Sequence, residues 1–498
     1  MTTVIGLDIG TSAVKAVLVD AATQALVATA SRPLGISRPH PLWSEQDPAD
    51  WWQAALAALA GLRHAAPAAW AGVRAIGLSG QMHGAVLLGA GNEVLRPAIL
   101  WNDGRCEPEC RELSLRVPRI GEIAGVPPVP GFTAPKLLWV ARHEPDIWAR
   151  LRLLLVPKDY VRLRLTGEAA TDMSDAAGML LLDEAARDWS PPLLEAVGLT
   201  RLQLPSLHEG PQPTGCLRPD IAAELGLPPS TIVVAGAGDA AAGGIGIGAV
   251  DEGDAFLSLG TSGQYFISTE AYRPAPESLV HAFAHGLPGR YMQMAALLNG
   301  ASALAWAAWV LAPERAAADE AGAIAMLLAE VAAGPDRPSP VIFLPYLSGE
   351  RTPHNDPHAR GVFFGMDGAT TRADMTRAVI EGVAFAFAEV QDALAAAGVR
   401  ASRLGAIGGG ARSPLWLQIF ADVLERPIET YAGAESGPAF GAARLALVGL
   451  GGTIANVCLK PPVHAVIEPD PARVAAYTPS LVRFLRLYPA LKSEFRRD

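Results

Sequence analysis

Residues 5–12 read Ile5-Gly6-Leu7-Asp8-Ile9-Gly10-Thr11-Ser12, and residues 257–263 read Leu257-Ser258-Leu259-Gly260-Thr261-Ser262-Gly263. An apolar run from Val14 to Val19 follows the first, and Tyr265-Phe266-Ile267 follow the second. In both places an alternating apolar run meets Gly-Thr-Ser and then resumes, which predicts a β-hairpin. Glycine permits the tight turn, while Thr and Ser hydroxyls stand beside exposed backbone N–H groups; such a turn is a small anion nest. The two turns are 250 residues apart, almost half of a 498-residue chain. One turn opening each half predicts two similar lobes that face a shared phosphate chain.

Outward from these turns, strand-like and helix-like segments alternate. Val73 to Leu78, Thr231 to Val234 and Leu404 to Ile407 read as buried strands, and Pro48 to Leu62, Asp374 to Gly398 and Ser413 to Leu424 as helices. That alternation predicts an α/β fold. The Gly-rich stretch Gly236 to Gly253 reads as the hinge between the lobes, with the division near residue 248.

A third glycine cluster, Gly408-Gly409-Gly410, lies between a predicted strand and a predicted helix. Bare glycines let a flat ligand approach the backbone, and a helix N-terminus favours phosphate. Asp8 stands inside an otherwise apolar strand, where an unpaired carboxylate is costly. A Mg²⁺ ion brought by a nucleotide would justify it, since hard cations prefer oxygen ligands. Asp239, in Gly236-Ala237-Gly238-Asp239, follows a strand at the expected floor of the cleft. Phosphoryl transfer to an alcohol needs a carboxylate near the attacking hydroxyl.

The chain has no Gly-Lys dipeptide, which excludes a Walker-A loop. Gly236-x-Gly238-x-x-Ala241 is a poor dinucleotide fingerprint and leaves both Gly-Thr-Ser turns unexplained. His281/His285 and His354/His358 have the i, i+4 spacing of metal ligands, but Pro353 and Pro357 make the second pair a loop. Half of the residues are hydrophobic and 18% are charged, enough apolar content to bury a sizeable core. A net charge of −10, with only five lysines, argues against a grip on a nucleic-acid backbone. Four cysteines (106, 110, 216 and 458) are too sparse for a disulfide framework and suit a reducing compartment. The N-terminus lacks a basic signal-peptide region, and no run offers the ~20 strongly apolar residues of a membrane span. A cytoplasmic location is expected.

Gly131-Phe132-Thr133-Ala134-Pro135-Lys136-Leu137-Leu138-Trp139 and Gly361-Val362-Phe363-Phe364-Gly365-Met366, the latter continued by Glu381-Gly382, resemble the two signatures of the FGGY carbohydrate kinases. The stretches 37–52, 80–84, 95–106, 157–160, 174–178 and 343–357 resemble the bacterial members that act on xylulose. The resemblance implies two actin-like ATPase lobes of the ribonuclease-H type with a cleft between them. It implies ATP-dependent phosphorylation of D-xylulose, with Asp239 as general base and Asp8 helping to hold Mg²⁺ through water. Met82, His83 and Asp103 would contact the sugar; Thr11, Ser12, Lys15 and Thr261 would line the phosphates of ATP, and Gly300 and Gly410 would lie near the adenosine. Domain limits follow as 1–247 for the sugar-binding lobe and 248–455 for the ATP-binding lobe. Residues 456–498 would be an extension packed on the lobes. The expected partner is a small sugar, with no nucleic acid or membrane, and the expected quaternary state a homodimer. Where such kinases commonly carry Asn after the catalytic Asp, this chain has Ala240; one polar contact is therefore missing or supplied from elsewhere. Other pentuloses or pentitols (ribulose, xylitol) are the alternative substrates. An actin- or Hsp70-like nucleotide switch would share the turns without needing a sugar site.

Overall fold

The computed structural model describes residues 1–431 and 437–496. Its frame is a pair of mixed sheets of seven strands each. In the first, the hairpin Thr3–Ile9/Ala13–Asp20 lies beside Val73–Gly80, which runs parallel to Thr3–Ile9. Ile232–Val234 continues the parallel run, and Leu26–Pro33 and Pro213–Cys216 close the edges antiparallel. The second sheet repeats the plan. The hairpin Asp254–Leu259/Gly263–Thr269 lies beside Arg403–Ile407, which runs parallel to Asp254–Leu259. Ile428–Tyr431 continues that parallel run, and Tyr291–Leu297 and Val463–Ile467 flank it antiparallel. His281–Ala284 is added beyond Tyr291–Leu297. The half-chain echo in the sequence is thus a repeat of sheet topology.

Local chemistry accounts for the elements. Thr3–Ile9 is buried along its whole length, as expected of a central strand covered on both faces. Helix Pro48–Ala65 starts with Pro at its first position and Asp47 capping the Ala49 N–H. Helix Arg372–Ala396 begins in a Thr371/Asp374 capping box, and Ser413 caps helix Pro414–Leu424.

Two segments differ from their sequence reading. The Gly-rich stretch is not an open hinge: Ala237–Gly238 is a strand, and Asp239–Gly246 is a helix buried against helix Gly437–Gly449. A Cβ on Gly441 would lie 1.8 Å from the Ala242 carbonyl oxygen, so small residues here serve close helix packing. Helix Gly437–Gly449 also packs on Thr3–Ile9 and Val73–Gly80, so a segment late in the chain covers the first sheet. Residues 456–498 supply the outer strand Val463–Ile467 and helix Pro471–Leu491, whose Phe484, Leu487 and Tyr488 enter the second core. No helix among the described residues is long and apolar enough to cross a membrane.

Candidate active site

Asp8 is paired with Lys15 across the first hairpin and with Ser79 on the neighbouring parallel strand. Gly238 pairs with Gly80, one step further along that same strand. Strand register therefore brings Asp8 and Asp239 to one end of the first sheet. Burial lifts the Asp8 carboxyl to about 6 against the opposing charge of Lys15, and Oδ1 has no hydrogen-bond partner. Burial and then the charge of Asp8 push Asp239 up to about 7.

The second turn is built differently. The carbonyls of Gly260 and Thr261 accept from the N–H groups of Ala301 and Gly300, at 2.7 and 3.0 Å. They thus cap the start of helix Ala301–Leu311. A Cβ at residue 300 would lie 2.6 Å from Ser262 O, so only glycine allows this contact. Gly408 and Gly410 press on Leu259 at the end of the adjoining strand. Turn, helix N-terminus and glycine cluster therefore meet at the C-terminal ends of two parallel strands, where α/β sheets commonly bind ligands.

Between the halves lies a cavity of about 180 Å³, walled by Thr11, Met82, His83, Trp101 and Asp239 from the first half. Ser262, Gln264, His281, Met294 and Arg351 are among the residues facing it from the second. Its size suits a ligand smaller than the occupants of ordinary drug-sized pockets of roughly 300–1,000 Å³. His83 Nδ1 lies 2.8 Å from the Gly178 carbonyl, which can only accept, so Nδ1 carries the proton and Nε2 is an acceptor. Burial holds that ring neutral. The His83 backbone is left-handed at φ 70°, and its carbonyl accepts from Thr133 Oγ1 and from buried Lys136 Nζ. Trp101 Nε1 donates to Thr11 Oγ1, which in turn donates to Gln81.

Behind Asp239 stands a buried ionic cluster. Lys158 Nζ is 2.6 Å from Asp159, 2.8 Å from Asp172 and 3.3 Å from Asp175. Ser174 Oγ donates to Asp172 and accepts from the Gly238 N–H at 3.0 Å. Arg162 donates to the carbonyls of Val234 and Ala235. The strand end that delivers Asp239 is held on both sides.

Of the residues singled out from the sequence, Asp239, Met82, His83 and Thr11 wall the cavity, Asp8 stands at the same sheet end as Asp239, and Ser12 and Lys15 are exposed beside Thr11. Thr261 is exposed on the second turn, while Gly300 and Gly410 are buried beside it. Asp103 is the exception. Its oxygens are taken by the Ser44 N–H and by Arg105, and its side chain is fully buried outside the cavity, so it has no free lone pair aimed at a sugar. His281 and His285 lie on or next to a strand, where a spacing of four is about 13 Å of chain and brings no two ligands together. Trp101, Gln264, His281 and Arg351 escaped assignment; Trp101 and Arg351 fall within the stretches that resemble xylulose-phosphorylating members, but no local pattern marks them.

A two-lobed architecture with a small cavity between its two Gly-Thr-Ser turns is what the geometry defines. The chain belongs to the FGGY family of carbohydrate kinases: the family's N-terminal domain matches residues 3–246 and its C-terminal domain residues 255–450. Among its relatives, the xylulose kinase of Escherichia coli (strain K12) is 48% identical over 492 residues, covering 98% of this chain and 99% of that one. The crystal structure of a xyloylose kinase from Brucella ovis is 48% identical, with a TM-score of 0.93 over 99% of this chain and 100% of its own. That of xylulose kinase from Rhodospirillum rubrum is 34% identical, with a TM-score of 0.91 over 99% and 100%.

Proposed function

We propose that this chain transfers the γ-phosphoryl group of ATP to D-xylulose, giving D-xylulose 5-phosphate. The observation that carries the reading is Asp239: a half-buried carboxylate with a raised pKa, in a cavity walled by Met82 and His83 on one side and by Ser262 of the second turn on the other. Relatives nearly half identical over their full length are xylulose kinases.

In this reading the sugar's terminal hydroxyl meets Asp239, which takes its proton as the oxygen attacks the γ-phosphorus. The bond from that phosphorus to the bridging oxygen breaks, and ADP leaves. His83 Nε2 accepts from a sugar hydroxyl. Thr11, Ser12, Lys15 and Thr261 line the phosphates, and Gly300 and Gly410 the adenosine side. Asp8, with an unpartnered buried oxygen, suits Mg²⁺ held through water. When bound, that ion offsets charge on the phosphates. The sugar lobe is residues 1–247 and the nucleotide lobe begins at 248; the enzyme works in the cytoplasm, as a homodimer.

Ala240, buried and without a polar atom beside Asp239, favours a second reading in which other pentuloses or pentitols compete. A panel of D-xylulose, D-ribulose, xylitol and glycerol, assayed with Mg-ATP by coupled ADP release, decides between them. Turnover greatest with D-xylulose is expected; ATP hydrolysis indifferent to sugar would instead mark a nucleotide switch.

A further inference from the structure

Arg351 faces the cavity from the second half of the chain, with its guanidinium 5.8 Å from the Trp101 ring of the first half. Among the described residues its side chain takes part in no ion pair or hydrogen bond, and it is only partly exposed to solvent. The backbone that carries it is firmly set. Glu350 Oε1 accepts from the N–H groups of Leu298 and Arg351 at 2.8 and 2.7 Å, and the Thr352 N–H donates to Ala296 O. Beside it, His281 is almost wholly buried, packed against Phe132 and Phe283, and its Nδ1 has no partner. Burial holds that ring neutral, with its pKa down at about 3. Leaving the buried His281 nitrogen unpartnered is costly unless a ligand satisfies it, and the guanidinium beside it has free donors facing the same cavity.

Geometry shows which end of the cavity these groups serve. A Cβ on Gly131 would lie 3.6 Å from Arg351 Nη2, Lys136 Nζ donates to both the Gly131 and His83 carbonyls, and Phe132 packs between His83 and His281. The guanidinium therefore lies toward the His83 end. Ala240 offers no hydrogen bond to a sugar, so donors must come from another wall.

Building on the sugar-kinase reading above, we infer that Arg351, with His281 beside it, is the second half's own sugar-binding group. Its guanidinium donates to the sugar oxygens remote from the phosphorylated hydroxyl. Because Met82, His83 and Asp239 hold the same molecule from the first half, the sugar bridges the halves and its binding favours their approach.

The test compares Arg351→Met, Arg351→Lys and His281→Phe with the unaltered chain and with Asp239→Asn, measuring kcat and the KM for D-xylulose and for ATP separately. A hydrogen bond to a charged group corresponds to a KM for sugar about ten- to hundredfold higher in Arg351→Met. The KM for ATP should stay within about twofold, Arg351→Lys should recover part of the loss, and His281→Phe should raise the sugar KM while keeping its aromatic packing. Thermal melting confirms that each variant is folded. If the unaltered chain phosphorylates D-xylulose and Asp239→Asn does not, the kinase reading stands. An unchanged sugar KM in folded Arg351→Met and His281→Phe then overturns this inference alone, as does a rise confined to the KM for ATP. An unaltered chain inactive on every pentulose overturns both.

Discussion

Asp8 and Asp239, 231 positions apart in the chain, act on one another because their strands flank the same end of Val73–Gly80. Burial raises both carboxyls, and the charge of Asp8 adds to the rise at Asp239. A folded-state pKa near 7 for Asp239, above its unfolded 3.8, means the fold favours the protonated form. That contribution is fully present below pH 3.8 and is lost as pH rises through 7.

Asp239→Asn should accordingly lower sugar phosphorylation by about 10²–10⁴-fold, the usual worth of a general base. The same variant should melt higher than the unaltered, metal-free protein at pH 8, by on the order of 2 kcal/mol, because it has no desolvated charge to form. At pH 5 the gap should be clearly smaller, and it should close only below about pH 3.8. A stability gap that is equal at both pH values would contradict the raised pKa.

Gly300→Val tests the join between the second turn and helix Ala301–Leu311. The added Cβ meets Ser262 O and Gly260 O at under 3 Å, so the turn must shift. The KM for ATP should rise at least tenfold, with a smaller change in sugar affinity, and thermal stability should fall by about 1–3 kcal/mol. Nucleotide titration calorimetry is the direct readout.

Lys136→Met keeps the length of a fully buried side chain but removes its hydrogen bonds to His83 O and Gly131 O. Burial pulls the Lys136 ammonium down to about 7, and its donors to the His83 and Gly131 carbonyls help hold His83 left-handed. Sugar KM should rise roughly tenfold, following the ~1–1.5 kcal/mol of a typical hydrogen bond, with ATP binding intact.

Ser174→Ala unlinks the Lys158 cluster from Gly238 N–H. Leaving that buried donor unsatisfied costs about 1–3 kcal/mol. Stability should fall by that amount, and kcat should drop severalfold as Asp239 loses its alignment; restoration by Ser174→Thr would show that the hydroxyl is what matters.

Much of this was readable along the chain. Both hairpins, the helices that begin at Pro48, Arg372 and Pro414, and the buried strands near 73, 232 and 404 follow from local periodicity and caps. Asp8 and Asp239 stood out because a carboxylate amid apolar residues needs a reason. Asp103 shows the limit: Trp101-Asn102-Asp103 looked available for a sugar hydroxyl, yet Arg105, two residues on, folds back and occupies both oxygens. The Gly-rich 236–253 stretch looked like a hinge because glycine content alone does not distinguish a flexible linker from a close helix contact.

Sequence alone determined the doubled α/β plan, the two Gly-Thr-Ser turns and the carboxylates, since each rests on neighbouring residues whose chemistry is local. Tertiary structure alone decided which side chains share the cavity. His83 and His281, or Trp101 and Arg351, meet only after two distant sheets pack across helices Asp239–Gly246 and Gly437–Gly449, and no local pattern encodes a contact that long-range burial creates.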